Sequence, residues 1–133
     1  MPINYCIDEN RKLAVTRMSG RITASELRAH IEEISADPLF ELCTGSFIDT
    51  TDVTQVDIPS SVVQGLAIGR GGQLGIGTRR LAIFAPKDPG YGLARVFQGF
   101  RSATSNMEVL VFRDRAKALA FLGVEGDLAE SDS

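Results

Sequence analysis

The chain has 133 residues, 44% of them apolar, and a formal net charge of −3. That length is expected to form one domain with its own hydrophobic core. The acidic total and interspersed charges exclude a general nucleic-acid binder, which carries a basic face. No apolar run reaches the roughly 18–20 residues of a membrane span.

The first dozen residues have neither the basic opening nor the apolar stretch of a secretion signal, so the expected location is cytoplasmic. Cys6 and Cys43 lie far apart, and without an export signal no disulfide is expected. Cys6, inside an apparent strand, reads as a small buried hydrophobe. A single histidine, His30, and the lack of a Cys-x-x-Cys pair leave zinc few ligands. No metal or cofactor is expected.

Ile3 to Asp8 and Lys12 to Met18 are predicted as two strands of a hairpin turning at Glu9, Asn10 and Arg11. Leu13 and Val15 alternate with polar neighbours, the period of a strand with one buried face. Gly20 is expected to end the second strand. Thr23 and Glu26 form a capping box ahead of Leu27, Ile31 and Ile34 at helical spacing. This helix should run to about Ala36, with Pro38 beyond its end. His30 borders the apolar stripe and reads as a boundary residue rather than a base.

Gly45 to Asp49 is a short strand candidate, and Thr50 to Ile58 reads as polar and turn-like. Pro59, Ser60 and Ser61 open a second helix with Val62, Val63 and Leu66 on its apolar side. The glycine-rich run from Gly69 to Gly77 has spacing similar to a dinucleotide fingerprint. It precedes a strand rather than following one, and it lacks the ending of a phosphate-binding loop. It reads as a helix exit and connector.

Leu81 to Ala85 is the next strand, followed by a helix over about 90–103, a strand over 107–112 and a helix over 114–122. Leu93, Val96, Phe97 and Phe100 make a core face on the third helix. Asp114 caps the last helix and Gly123 stops it. The acidic residues 124–133 are expected to fray. The order β-β-α-β-α-β-α-β-α describes a single α/β domain over 1–123. Its five-stranded sheet is mostly parallel, with an antiparallel N-terminal hairpin.

Ligands of open parallel sheets bind beyond the carboxyl ends of the strands. Three such ends are readable: Asp49 to Asp52, Pro86 to Gly92, and Arg113 with Asp114. The second offers Lys87, Tyr91, Gly92 and Arg95 around a helix start, a candidate site for an anion or polar ligand. The plainer alternative is a structural turn with Asp88 as its cap. Asp49, Asp52 and Asp57 are either a hard-cation set or, more simply, loop carboxylates satisfying nearby amides. No Ser-His-Asp set and no nucleophile elbow exist. No catalytic residue is therefore assigned, and a non-enzyme is expected.

Three strings resemble one family. They are Gly20 through Glu26, Leu81 through Pro86 continuing to Tyr91 through Phe97, and Val111 through Asp114 leading to Phe121 and Leu122. Together they resemble the SpoIIAA-like group of small bacterial proteins, which shares its fold with STAS and CRAL-TRIO domains. The resemblance implies a regulatory or protein-binding module, or alternatively a carrier or sensor of a small apolar or lipid-like anionic ligand. Anti-sigma antagonists of the STAS type are phosphorylated on a serine opening their second helix. The matching positions here are Ser60 and Ser61, although Pro59 precedes them and no glycine follows. Ser61 with Gln64 also reads as a helix cap. The partner is then a protein or a small ligand, and an exposed sheet edge leaves room for a homodimer.

Overall fold

The computed structural model describes residues 3–59, 80–88, 90–92, 94 and 108–124. Its elements are β1 (Ile3–Asp8), β2 (Leu13–Thr23), α1 (Ala24–Ala36), a 3-10 turn (Phe40–Leu42), β3 (Gly45–Asp57), β4 (Arg80–Phe84), β5 (Glu108–Phe112) and α2 (Arg115–Phe121). The strands form one five-stranded sheet in the order β1-β2-β3-β4-β5. β1 is antiparallel to β2, and the remaining pairs are parallel. This is the expected α/β architecture.

Short-range signals fix the element ends. In the β1–β2 turn the Asp8 carboxylate accepts from the Asn10 and Arg11 backbone amides, each at 3.1 Å. The Arg11 amide is the main reason that the Asp8 carboxyl is held below its usual range. Lys12 closes the turn in the left-handed region at φ 54°. Thr23 Oγ1 accepts from the Glu26 amide, and the Glu26 carboxylate accepts from the Thr23 amide at 3.1 Å, completing the capping box. Asp114 accepts from the amides of Ala116 and Lys117. Gly123, at φ 75°, ends α2 in the conformation that glycine adopts without strain.

Alternation along the strands sorts the core onto two faces. On one face Ile3, Met18, Ile22 and Val53 pack under Leu27 and Ile31 of α1. Leu81, Ile83 and Val109 continue that layer with Ala94. On the other face Leu13, Val15, Phe47 and Ala82 pack under Ala118 and Leu119 of α2. Cys6 is half-buried beside this second layer, and Cys43 is buried at 1% exposure. Both thiols are free.

Two expectations are corrected. β2 does not end near Gly20 but runs through it to Thr23, with Gly20 at φ 69° inside the strand. β3 does not stop at Asp49, because Thr50 to Asp57 continues it. The reason is mutual: Ser19 to Thr23 pairs with Asp52 to Asp57, so each extension supplies the other's ladder. The β-branched Thr50, Thr51, Val53, Thr54 and Val56 suit a strand better than their polarity suggests. β3 has 13 residues against 11 in β2, and the register slips between Arg17 and Ser19 and again between Gly20 and Arg21. These slips are bulges that bend the long ribbon.

His30 is half-buried beside β1, its ring edge-on to Tyr5 at 5.8 Å. Burial pushes its imidazole down to about 4, so it is neutral at pH 7. The Tyr5 hydroxyl donates to Asp37 at 2.7 Å. Burial, followed by that bond, raises the phenol to about 12.

Candidate functional site

β4 and β5 end side by side, tied by the Ala85 amide donating to the Phe112 carbonyl at 2.8 Å. The chain then turns through Pro86 and Lys87 into helical residues at Asp88, Gly90 to Gly92 and Ala94. The Tyr91 amide donates to the Lys87 carbonyl at 3.0 Å, closing the first helical turn. Gly90 is required by packing: a Cβ there would lie 2.4 Å from Thr50 Oγ1 and 2.9 Å from Thr50 Cβ. Thr50 is itself held by donating to the Phe84 carbonyl at 3.0 Å. The helix start is thus seated directly on the central strand.

Arg113, the residue after β5, draws this corner together. Its guanidinium donates to Asp88 Oδ1 at 3.0 Å and to the Pro86 carbonyl at 3.3 Å. It also lies 4.0 Å from the centroid of the Tyr91 ring, a cation–π contact. Both charged side chains remain open to solvent, at 48% for Arg113 and 92% for Asp88. Lys87 is exposed beside them. Asp88 therefore serves as the partner of Arg113 across the two strand ends.

A second ion pair sits on the α2 face of the same sheet end. Arg115 Nη1 donates to Asp49 Oδ2 at 3.1 Å. Its guanidinium lies 5.2 Å from the Phe47 ring centroid and 6.0 Å from that of Phe84. The other Asp49 oxygen accepts from the Thr51 amide at 2.9 Å and from the Thr51 hydroxyl at 2.5 Å. Asp49 is buried, at 8% exposure.

The structure thus joins Tyr91 to Arg113 and places Lys87 next to their contact. Gly92 is exposed, and a Cβ there would meet nothing within 4 Å. It is not a point of close backbone approach; that role falls to Gly90, whose space is filled by Thr50. Arg95, Ser60, Ser61 and the glycine-rich run from Gly69 to Gly77 lie outside the described residues. The expected loop beyond Asp49 is corrected: Asp52 and Asp57 stand within β3 with Asp49. Asp49 satisfies the nearby Thr51 amide, as the plainer alternative had it, and pairs with Arg115; Asp57 pairs with Arg21, and Asp52 is exposed. Among the described residues no group of three metal-ligating side chains occurs.

Sequence reasoning placed Thr50 and Arg113 at strand ends but not in the site, and it missed Arg115. The usable signal was position: a basic residue following an apolar strand in a parallel sheet lies on the ligand-facing rim.

A solved structure from Shewanella loihica PV-4 is similar to this chain: an uncharacterised protein from the DUF3478 family with a SpoIIAA-like fold. The match covers 90% of this chain and 93% of that one, at TM-score 0.54 and 18% identity. The chain has a SpoIIAA-like fold. No protein-family model matches the sequence, and no curated protein matches it. Among the described residues of this SpoIIAA-like domain, no helix is long and apolar enough to cross a membrane.

Proposed function

We propose that this SpoIIAA-like domain is a non-enzymatic cytoplasmic binding module, and that it meets a protein partner with the rim formed by Lys87, Asp88, Tyr91 and Arg113. The observation that carries this reading is how the rim charges are disposed. The Asp49 carboxylate is committed to Arg115 and Thr51 inside the fold. At the rim, Arg113 and Asp88 are paired yet solvent-exposed, with an aromatic ring beneath the guanidinium. Arginine and tyrosine together are the chemistry that anchors protein interfaces. A carboxylate-bearing partner side chain can replace Asp88 on Arg113 at little cost, because an exposed pair contributes little on its own. Phosphorylation of Ser60 or Ser61 is the switch that the family resemblance suggests for such a module.

The test is capture of partners from the native cell extract, followed by reconstitution of any hit from purified components. Binding by the wild type that is lost in Arg113→Glu and Lys87→Glu supports the reading. Equal binding by the charge-reversed variants moves the partner surface elsewhere.

The family resemblance carries a second reading, a carrier in which Lys87 and Arg113 would hold the anionic head of a small apolar ligand. Native mass spectrometry decides it: a copurifying mass released on denaturation supports the carrier, and a clean protein mass counts against it.

A further inference from the structure

The opposite edge of the sheet carries a second surface. Ile7 of β1, Leu39, Leu42 and Cys43 line a small open cavity of about 170 Å³, with Glu9 and Lys12 at its rim. Leu42 is 63% exposed, and Leu42 and Leu110 are the exposed large hydrophobics among the described residues. Glu9 and Lys12 are both exposed. A dry cavity of about 150 Å³ holds a benzene-sized group, so this one accommodates a single aliphatic side chain. The hollow therefore lies beside a side chain of the right kind to fill it, yet Leu42 lines the hollow and cannot fill it from its own chain.

We propose that this face is a homodimer surface. Across a two-fold axis, Leu42 of each copy enters the hollow of the other, and Glu9 of each copy meets Lys12 of the other. Charge complementarity points to a second copy: one rim carries both a carboxylate and an ammonium, and a two-fold axis passing between them brings opposite charges together at two places, the reciprocal pairing of an isologous contact. An apolar anchor ringed by polar side chains is also the layout of an interface hot spot. β1 is an edge strand, so a second copy reaches this face without displacing any strand. β5, next to Arg113, lies at the other edge, and the rim proposed for a protein partner stays free in the dimer. A single apolar anchor with two exposed charge pairs gives a weak, concentration-dependent dimer.

Analytical ultracentrifugation of the full chain over a wide concentration range tests this. The wild type should pass from monomer to dimer, and Leu42→Asp should weaken association by about 30-fold or more. Lys12→Glu alone should weaken it too, whereas Glu9→Lys combined with Lys12→Glu should restore it, because the swap regenerates both opposite-charge pairs. All three positions are exposed, and circular dichroism confirms that the variants fold. A monomer at every concentration overturns the proposal. So does a dimer indifferent to Leu42→Asp, or a double swap as weak as the single change. Partner capture through Arg113 is read separately, and its outcome does not depend on this one.

Discussion

The carboxyl end of the sheet holds two arginine–aspartate pairs that share residue types and little else. Arg115 and Asp49 bond at 3.1 Å with side-chain exposures of 29% and 11%. Arg113 and Asp88 bond at 3.0 Å with exposures of 48% and 92%. The distances are nearly equal, so environment alone separates the pairs. Inside, a lost partner leaves a charge that water reaches poorly, and the cost is large. At the rim, water takes over the lost contact, and the pair contributes little to folding. The inner pair therefore belongs to the fold, and the outer pair is the one free to exchange partners.

The largest effect should follow from breaking the inner pair. Asp49→Ala takes the Asp49 carboxylate away from Arg115, which lies beside Phe47 and Phe84, and strips the Thr51 amide of its acceptor. A loss of about 2–4 kcal/mol is expected from urea unfolding. Asp49→Asn, which keeps an acceptor, should lose less. A loss for Asp49→Ala no larger than that for Asp88→Ala would erase the distinction between the two pairs.

His30 extends the contrast to a neutral interior group. Its imidazole titrates near 6.5 in the unfolded chain and at about 4 in the folded one. Between those values the unfolded state binds more protons, so acid favours unfolding. The stabilisation is fully present above pH 6.5 and is lost as pH falls through about 4. At roughly 1.4 kcal/mol per pKa unit the full shift is worth about 3.5 kcal/mol, and water reaching the half-buried ring brings the contribution down to about 1–3 kcal/mol. Urea midpoints measured across this window should fall with pH in the wild type and much less in His30→Phe, which keeps a ring against Tyr5. Parallel slopes would show that another group titrates.

Gly90→Ala probes how tightly the rim is mounted on the interior. The added methyl would meet Thr50 Oγ1 at 2.4 Å, and Thr50 is anchored on the Phe84 carbonyl. Forcing the helix start off β3 should cost about 1–3 kcal/mol. Gly92→Ala, which meets nothing within 4 Å, should leave stability unchanged or slightly raised. Equal effects at the two glycines would mean that the seat on Thr50 is unimportant.

How far the sequence revealed each feature depended on the range of the interaction behind it. The capping box at Thr23 and Glu26, the Asp114 cap and the Gly123 stop involve neighbours two to five residues apart, and all were readable. The continuation of β3 through Asp57 was not, because it depends on pairing with Ser19 to Thr23 of another strand. Local polarity at Thr50 to Ile58 pointed to a turn, and tertiary pairing overrode it. The site divides in the same way. Lys87 and Tyr91 stood out beside a turn and a helix start, while Arg113 reaches Asp88 across 25 residues and Arg115 reaches Asp49 across 66. Pairings at such separations are products of the strand order, which no local window contains.

The smallest stability effect should come from the outer pair, and it separates folding from binding most sharply. Asp88→Ala removes a carboxylate that is 92% exposed, and Arg113 keeps the Pro86 carbonyl and the Tyr91 ring. The change in unfolding free energy should stay within about 0.5 kcal/mol. A double-mutant cycle with Arg113→Ala should give a coupling of the same small size, shrinking further at high salt. Binding should respond in the opposite sense. Without Asp88, Arg113 has no carboxylate to surrender, so an acidic partner should bind Asp88→Ala more tightly than wild type and Arg113→Ala more weakly. A coupling of several kcal/mol, or weaker binding by Asp88→Ala, would place the outer pair with the inner one, as part of the fold rather than its contact surface.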